Sequence, residues 1–76
     1  MKNAKIMLKT INDVKNFVSI AGNYDFNIDI VSGRYAVDAK SIMGIFSLDL
    51  SKPLDLEISS DECAEFLTAI KGYLAE

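Results

Sequence analysis

Three segments of the chain alternate apolar and polar residues with a period of two, and this pattern constrains the fold more than any other feature. A strand of this kind buries one face and leaves the other in water. Such strands favour an antiparallel sheet with helices packed on one side only. The first segment predicts a strand over about residues 3–10. The alternating apolar residues are Ala4, Ile6 and Leu8, then Phe26, Ile28 and Ile30, and then Leu54, Leu56 and Ile58.

Apolar residues with helical spacing follow the first strand and predict a helix over about residues 13–22. Thr10 or Asn12 can cap its N-terminus, because both side chains accept hydrogen bonds from early helix amides. Gly22 and Asn23 tolerate the left-handed conformation that ends many helices. The stripe consists of Val14, Phe17, Val18 and Ala21.

The C-terminal segment carries the clearest helical pattern and predicts a helix over about residues 61–75. It is preceded by Ser59, Ser60, Asp61 and Glu62, which have the composition of a capping box. The apolar stripe of this helix consists of Cys63, Phe66, Leu67, Ile70, Tyr73 and Leu74.

The middle of the chain is predicted to form a hairpin followed by a short helix. A turn at residues 32–34 separates two strands of the hairpin. The periodicity of residues 40–48 fits both a strand and a helix, and we predict a helix over about residues 41–47. Pro53 then ends this segment before the strand at 54–58. The predicted fold class is therefore α+β.

Composition argues against several classes of function. The chain has eight Lys and Arg residues and eleven Asp and Glu residues, and the basic residues are scattered along it. No surface that binds nucleic acid is therefore expected. No apolar run approaches the ~20 residues that span a bilayer, which predicts no membrane insertion and a cytoplasmic protein. The tyrosines are expected at the edge of the core rather than in a platform for stacking bases. They are Tyr24, Tyr35 and Tyr73.

The chain contains no histidine, which removes the commonest general base, phosphocarrier side chain and metal ligand together. The single cysteine, Cys63, lies on the predicted buried stripe and is expected to be a packed thiol. The acidic residues form no metal-spaced cluster with other ligand types. We therefore expect no cofactor, no metal site and no enzymatic activity.

One run in the middle of the chain reads Lys40-Ser41-Ile42-Met43-Gly44, with Val37-Asp38-Ala39 before it and Phe46-Ser47-Leu48 after it. This run and the order of predicted elements resemble HPr, the small phosphocarrier of the bacterial sugar phosphotransferase system. The resemblance implies an open-faced β-sandwich, in which a four-stranded antiparallel sheet carries three helices on one face, in the order βαββαβα. It also implies a single HPr-like domain over residues 1–76.

The chain departs from the family at the loop before the first helix. HPr carries its phosphoryl group on a histidine there, and this chain has Thr10 opposite that histidine. Asn12 lies opposite the family's arginine and Asp13 opposite its proline. A threonine phosphoester transfers less readily than a phosphoramidate, and Asp13 would repel a phosphate. The resemblance therefore implies a degenerate active-site loop without histidine phosphotransfer.

Two interpretations of Ser41 stay open. The resemblance implies that it matches the serine that a dedicated kinase phosphorylates in Gram-positive members. A phosphate there would meet unpaired helix amides beside Lys40, with Arg34 as a further cation, whereas Asp38 would oppose it. The other interpretation is a plain N-cap, whose hydroxyl accepts a hydrogen bond from an early helix amide.

The short helix can turn only one stripe inward, so its apolar run is expected to have an outer face. Ile45, Leu48 and Leu50 are expected to point inward. The resemblance implies that family enzymes dock on the outer face. The predicted partner-binding residues are Lys40, Ile42, Met43 and Phe46.

The sequence therefore predicts a non-catalytic, HPr-like regulatory module that binds proteins. The expected partners are phosphotransferase-system enzymes or a transcription regulator. One alternative is a corepressor-like switch of carbon metabolism that is controlled by phosphorylation of Ser41. Another is a structural descendant that forms a homodimer through Met43 and Phe46.

Overall fold

The computed structural model describes residues 2–75. Its elements follow the predicted order, and its four strands pair antiparallel in the order β1-β4-β2-β3. The predicted α+β fold, with a four-stranded antiparallel sheet and three helices, is confirmed. The strands are β1 (Lys2–Ile6), β2 (Ile28–Ser32), β3 (Tyr35–Asp38) and β4 (Leu54–Ile58). The helices are α1 (Ile11–Ala21), α2 (Ile42–Phe46) and α3 (Ala64–Ala69), and a 3₁₀ turn (Lys71–Tyr73) follows α3.

The burial of the strands confirms their one-sided alternation. In β4, Leu54 and Leu56 are buried, whereas Asp55 between them is exposed. Leu54 lies opposite Ile6 of β1, and Leu56 lies opposite Ile30 of β2. Because directly opposed residues share a face, the apolar side chains of these three strands form one continuous surface. The core lies between this surface and the helices.

The hairpin of β2 and β3 closes through a two-residue turn. Ser32 and Tyr35 lie opposite each other on either side of it. Gly33 has a φ of 60°, and no non-glycine residue within 2–75 has a positive φ. A positive φ at the first turn position alone is the type II′ geometry, which glycine adopts without steric cost. The turn therefore sets the register of β3.

α1 begins earlier than predicted, because Thr10 and not Asn12 is its N-cap. The predicted left-handed end is wrong, since Gly22 has a φ of −65° and a ψ of −14°. Instead, the N–H of Asn23 donates to the C=O of Ile20 at 3.0 Å. This i−3 hydrogen bond tightens the last turn, so no left-handed residue is needed. The buried residues of the predicted stripe are Val14, Phe17 and Ala21.

α3 is shorter than the helix predicted over 61–75, and its predicted capping box is wrong. Its N-cap is Cys63, whose side chain makes no capping hydrogen bond. The hydroxyl of Ser60 instead accepts the N–H of Glu62 at 3.1 Å. This local turn competes with a helical start for the same donors, so the helix begins later.

The end of α3 is decided by β1. The N–H of Met7 donates to the C=O of Tyr73 at 2.8 Å, and the N–H of Ala75 donates to the C=O of Lys5 at 2.7 Å. These bonds require an extended C-terminal segment beside β1. Gly72 also lowers the helix propensity there. A 3₁₀ turn and the pairing of residues 73–75 beside β1 therefore replace the last predicted helical turns.

The sheet face that points away from the helices places like charges next to each other. Asp29 of β2 lies directly opposite Asp38 of β3 and Glu57 of β4. Directly opposed like charges destabilise a sheet, so we expect Asp29→Asn to raise the free energy of unfolding by about 0.2–1 kcal/mol. Urea denaturation followed by circular dichroism measures this change. Asp25→Asn, which removes the same charge outside the strands, is the control. An equal effect of the two substitutions would contradict the prediction.

Candidate functional site

The candidate site begins at Ser41, which caps α2. Its backbone is extended, with a φ of −105° and a ψ of 104°. Its Oγ accepts a hydrogen bond from the N–H of Gly44 at 3.2 Å. The residue is nevertheless exposed to solvent. The N-cap is therefore confirmed, and phosphorylation of this hydroxyl stays a prediction.

α2 lies close against β3 because Gly44 has no side chain. A Cβ on Gly44 would stand 3.2 Å from the Oγ of Ser41 and 3.2 Å from the Cβ of Val37. Both separations are tighter than ordinary van der Waals contacts. Glycine at this position therefore lets α2 approach β3 while the Ser41 cap stays in place.

α2 has one buried and one exposed face. Ile45 is fully buried, and Ile42 and Leu48 are half-buried against the core. Met43 is 76% exposed and Phe46 is 40% exposed. We call Met43 and Phe46 the α2 patch. Ile42 was expected on the outer face, but its side chain packs partly against the core and is only partly exposed.

Lys40 connects the start of α2 to the loop after α1. Its Nζ donates to the C=O of Tyr24 at 2.6 Å and to the C=O of Phe26 at 3.2 Å. Its N–H donates to Oδ1 of Asp38 at 2.8 Å. The side chain is half-buried. The ammonium group is thus engaged by two backbone carbonyls within the protein.

The two other charges predicted around Ser41 are separated from each other. The N–H of Ser41 donates to the C=O of Asp38 at 2.9 Å, so Asp38 adjoins Ser41. Arg34 lies in the turn before Tyr35, at the end of β3 that is farther from Ser41. The structure therefore places Asp38, and not Arg34, next to Ser41.

The start of α1 holds the residues that the sequence predicts to form a degenerate active-site loop. The Oγ1 of Thr10 accepts the N–H of Asp13 at 3.0 Å. In return, Oδ2 of Asp13 accepts the N–H of Lys9 at 3.0 Å and the N–H of Thr10 at 3.3 Å. Asn12 is exposed and makes no cap. A carboxylate of the chain itself therefore occupies the place where an anion would meet these amides.

A cleft of about 410 Å³ adjoins this loop. Its charged lining residues are Lys9 and Asp13, which carry opposite charges. Among the lining residues, no nucleophile is paired with a free general base, because the Asp13 carboxylate is held in the cap. The cleft is lined by Met7, Lys9, Asp13, Pro53, Gly72, Tyr73, Leu74 and Ala75.

The loop after α2 is closed by Asp49. Oδ1 of Asp49 accepts the hydroxyl of Ser51 and also its N–H, the latter at 3.0 Å. Both hydrogen bonds stabilise the charged form of the carboxyl group and therefore hold the pKa of Asp49 below its ordinary value. The bond from the Ser51 hydroxyl has the larger effect, and the bond from the Ser51 amide has the smaller one. The chain therefore turns after α2 around the side chain of Asp49.

The remaining predicted features are easily placed. Within residues 2–75, no group of three His, Cys, Asp or Glu residues could hold a metal ion. No helix in the described part of the chain is long and apolar enough to cross a membrane. Cys63 is buried, as predicted. Tyr35 was expected at the core edge and is 71% exposed, because it starts the outermost strand beside the turn.

Two structural roles were not predicted from the sequence. The spacing of Thr10 and Asp13 is that of a capping box and could have revealed the closed helix start. The contacts of Lys40 had no such signal. Its partners, Tyr24 and Phe26, precede it by 16 and 14 residues. Only the folded chain brings these groups together.

The fold and the site define a small α+β protein of the open-faced sandwich class, with a serine-capped helix after its hairpin. The family described as the PTS HPr component phosphorylation site matches residues 12–76. The chain therefore belongs to the HPr family of the phosphotransferase system. The matched range includes Asn12 and Asp13 but begins after Thr10.

Solved structures share this fold. HPr-C-His from Thermoanaerobacter tengcongensis is 29% identical, with a TM-score of 0.78, over 95% of this chain and 89% of that one. The phosphocarrier protein HPr from Bacillus anthracis str. Ames is 23% identical, with a TM-score of 0.72, over 97% of this chain and 96% of that one. The histidine-containing phosphocarrier protein of Mycoplasma is 18% identical, with a TM-score of 0.71, over 93% of this chain and 86% of that one. A comparison with curated protein sequences finds no match.

Proposed function

We propose that this chain is a regulatory protein-interaction module of the phosphotransferase system, which binds through the α2 patch and carries no phosphoryl group on histidine. The exposure of Met43 and Phe46 is the observation that carries the proposal. Their i, i+3 spacing places them on the same face of α2. Large apolar side chains grouped on a surface are a feature of protein interaction sites, where methionine and aromatic residues are enriched.

Two observations support binding without phosphotransfer. The chain contains no histidine, so no side chain can form the usual phosphoramidate. In addition, the N–H groups of Lys9 and Thr10, just before α1, already bind the carboxylate of Asp13. A phosphoryl group on the neighbouring Thr10 would meet this negative charge. The loop is therefore unsuited to accept and pass on phosphate.

The partners that we propose are the cytoplasmic phosphotransferase enzymes that bind HPr, with a transcription regulator as the alternative. The similar structures include proteins named as phosphocarriers. A phosphocarrier must contact the enzymes that give and receive its phosphoryl group. A chain with the same fold and an exposed α2 patch would occupy those surfaces without turnover. It would thereby limit access of the active carrier.

The α2 patch is tested by titrating the ¹⁵N-labelled chain with the phosphotransferase enzyme that phosphorylates HPr. We expect chemical-shift changes centred on α2, and Met43→Asp should weaken binding at least about tenfold, because the contact would desolvate a carboxylate. Tyr35→Asp is the matched control, since Tyr35 is 71% and Met43 76% exposed, but Tyr35 lies on β3.

Equal losses in the two variants, or no loss with Met43→Asp, would contradict docking through α2. Absence of binding by the unmodified chain would remove this enzyme as a partner. Intact mass after incubation with the phosphorylated enzyme tests the other half of the proposal. We expect no added phosphate, and a phosphorylated product would contradict it.

The exposure of Ser41 favours a second candidate function, in which a serine kinase switches the module. Phosphorylation would compete with the hydrogen bond from Gly44 and place a dianion beside Asp38. This candidate predicts one added phosphate after incubation with an HPr-type serine kinase and ATP. Ser41→Ala should abolish the addition, and Ser47→Ala, at the other end of α2, should not. An unchanged mass of the unmodified chain would exclude it.

A further inference from the structure

The two edges of the sheet differ in what lies beyond them. At the β1 edge, the C-terminal segment pairs with the strand through a bridge between Ile6 and Leu74. The hydrogen bond from Met7 to Tyr73 continues this pairing. At the other edge, no strand within residues 2–75 pairs with the outer side of β3. One edge is therefore paired with the chain's own C-terminal segment, whereas the other has no strand beside it and is bonded by the chain itself only at Asp38.

The register of the hairpin shows which groups of β3 face the open side. The N–H of Ala39 donates to the C=O of Ile28 at 2.9 Å, so this pair is hydrogen-bonded. Hydrogen-bonded pairs alternate along an antiparallel ladder, so Val37 also bonds to β2. The backbone groups of Ala36 and Asp38 consequently point outward. In agreement, the C=O of Asp38 is bonded by Ser41 and not by β2.

We propose that β3 pairs antiparallel with β3 of a second copy of this chain, around a two-fold axis at Ala36. Opposed residues must share a face, and the outward backbone groups must meet each other. With the axis at Ala36, each Tyr35 faces Val37 of the second copy. Arg34, the turn residue next to Tyr35, then lies beside Asp38 of the second copy. The two sheets then join into one sheet of eight strands.

Charge complementarity selects this register. Arg34 and Asp38 are both exposed, and the pairing joins them twice through the two-fold symmetry. Within its own chain, the carboxylate of Asp38 accepts the N–H of Lys40 and lies opposite the like charge of Asp29. Arg34 of a second copy would add a cation beside this pair of carboxylates. A shift by two residues would place Asp38 opposite Ala36 and lose both ion pairs. The edge is thus complementary to itself in one register.

The side chains of β3 also lack the usual protection of an edge. Proteins often block open edges with lysine, proline or a bulge, and residues 35–38 contain no lysine or proline and pair without a bulge. Tyr35 and Val37 form an aromatic and β-branched pair across the new ladder, which is a favourable combination. Because β3 has only four residues, the dimer should be weak.

Two charge-reversal variants, measured singly and as a mixture, test the proposal. Sedimentation velocity is recorded at protein concentrations up to about 1 mM, because a small interface is expected to give a weak dimer. The unmodified chain should form dimers. Arg34→Glu and Asp38→Lys should each weaken dimerisation by about tenfold or more, because each places like charges opposite each other. An equimolar mixture of the two variants should dimerise again, since the introduced glutamate then faces the introduced lysine and the remaining Arg34 faces the remaining Asp38.

A monomeric unmodified chain, or a mixture no better than the single variants, would overturn the proposal. Loss of the dimer with Met43→Asp but not with Arg34→Glu would also overturn it and assign association to the α2 patch. Ala36→Pro gives a second test, because it removes an N–H that points away from β2. It should abolish dimers while the amide spectrum of the monomer is retained. These results are independent of binding to a phosphotransferase enzyme.

Discussion

Phe66→Ala is expected to lower the free energy of unfolding by about 3–5 kcal/mol. Phe66 is fully buried at the centre of a group of rings. Its centroid lies 6.3 Å from that of Phe17, 5.3 Å from Tyr24 and 6.0 Å from Phe26, in edge-to-face geometry. Alanine would leave a cavity between elements that these rings join. Total stability for a chain of this size is about 4–11 kcal/mol, so a large share would be lost.

Urea denaturation followed by circular dichroism measures the effect of Phe66→Ala. Ile11→Ala is the control, because Ile11 is an exposed apolar residue of α1 and its truncation should change stability by no more than about 0.5 kcal/mol. A loss with Phe66→Ala as small as that of the control would contradict the prediction. It would mean that the surrounding rings close the cavity without cost.

The second large effect is expected at Lys40. Lys40→Met keeps the aliphatic stem but removes the ammonium group that binds the carbonyls of Tyr24 and Phe26. Hydrogen bonds of charged groups contribute about 1.5–3 kcal/mol, so we expect the free energy of unfolding to fall by about that amount. Amide shifts of residues 24–26 should change as well, because this loop loses its link to α2.

Lys15→Met is the matched control for Lys40→Met, since Lys15 is an exposed lysine of α1. Its stability should stay within about 0.5 kcal/mol of the unmodified chain. Equal effects of the two substitutions would contradict the role assigned to the Lys40 contacts. The sequence also predicts Lys40 as a partner-binding residue. Weakened binding by Lys40→Met with unchanged stability would support direct contact with a partner instead.

Tyr24 and Phe26 link these two predictions. Their rings pack on Phe66, and their carbonyls bind Lys40 next to the cap of α2. The core and the start of α2 are therefore connected through one loop. This connection explains how a helix of five residues, too short to be stable alone, can hold a defined orientation.

Much of the candidate site could be predicted by counting positions. The apolar run around α2 exceeds what one inward stripe can bury, so exposure of Met43 and Phe46 follows from helical spacing. Ile42 could not be placed in this way, because it lies at the border between the two faces and packs partly on the core. The orientation of the Lys40 side chain depended on residues far away in the chain.

The sequence by itself determined the features that depend on neighbouring residues. The alternation in β4, the glycine at the hairpin turn and the serine cap of α2 each involve groups a few positions apart, so local stereochemistry specifies them. The absence of histidine is equally a property of the sequence. The local patterns were sufficient to predict the order of elements, and this order together with the run at residues 40–44 was sufficient to indicate the family.

Only the tertiary structure decided where α3 ends and which edge of the sheet is open. The local pattern of residues 70–75 suits a helix, but only a 3₁₀ turn forms at Lys71–Tyr73, and residues 73–75 pair with Lys5, Ile6 and Met7 near the other end of the chain. Sheet pairing between distant segments can outweigh a helix propensity of a few tenths of a kcal/mol per residue. The same pairing covers β1 and leaves β3 as the open edge, because backbone partners are assigned only when the chain is folded.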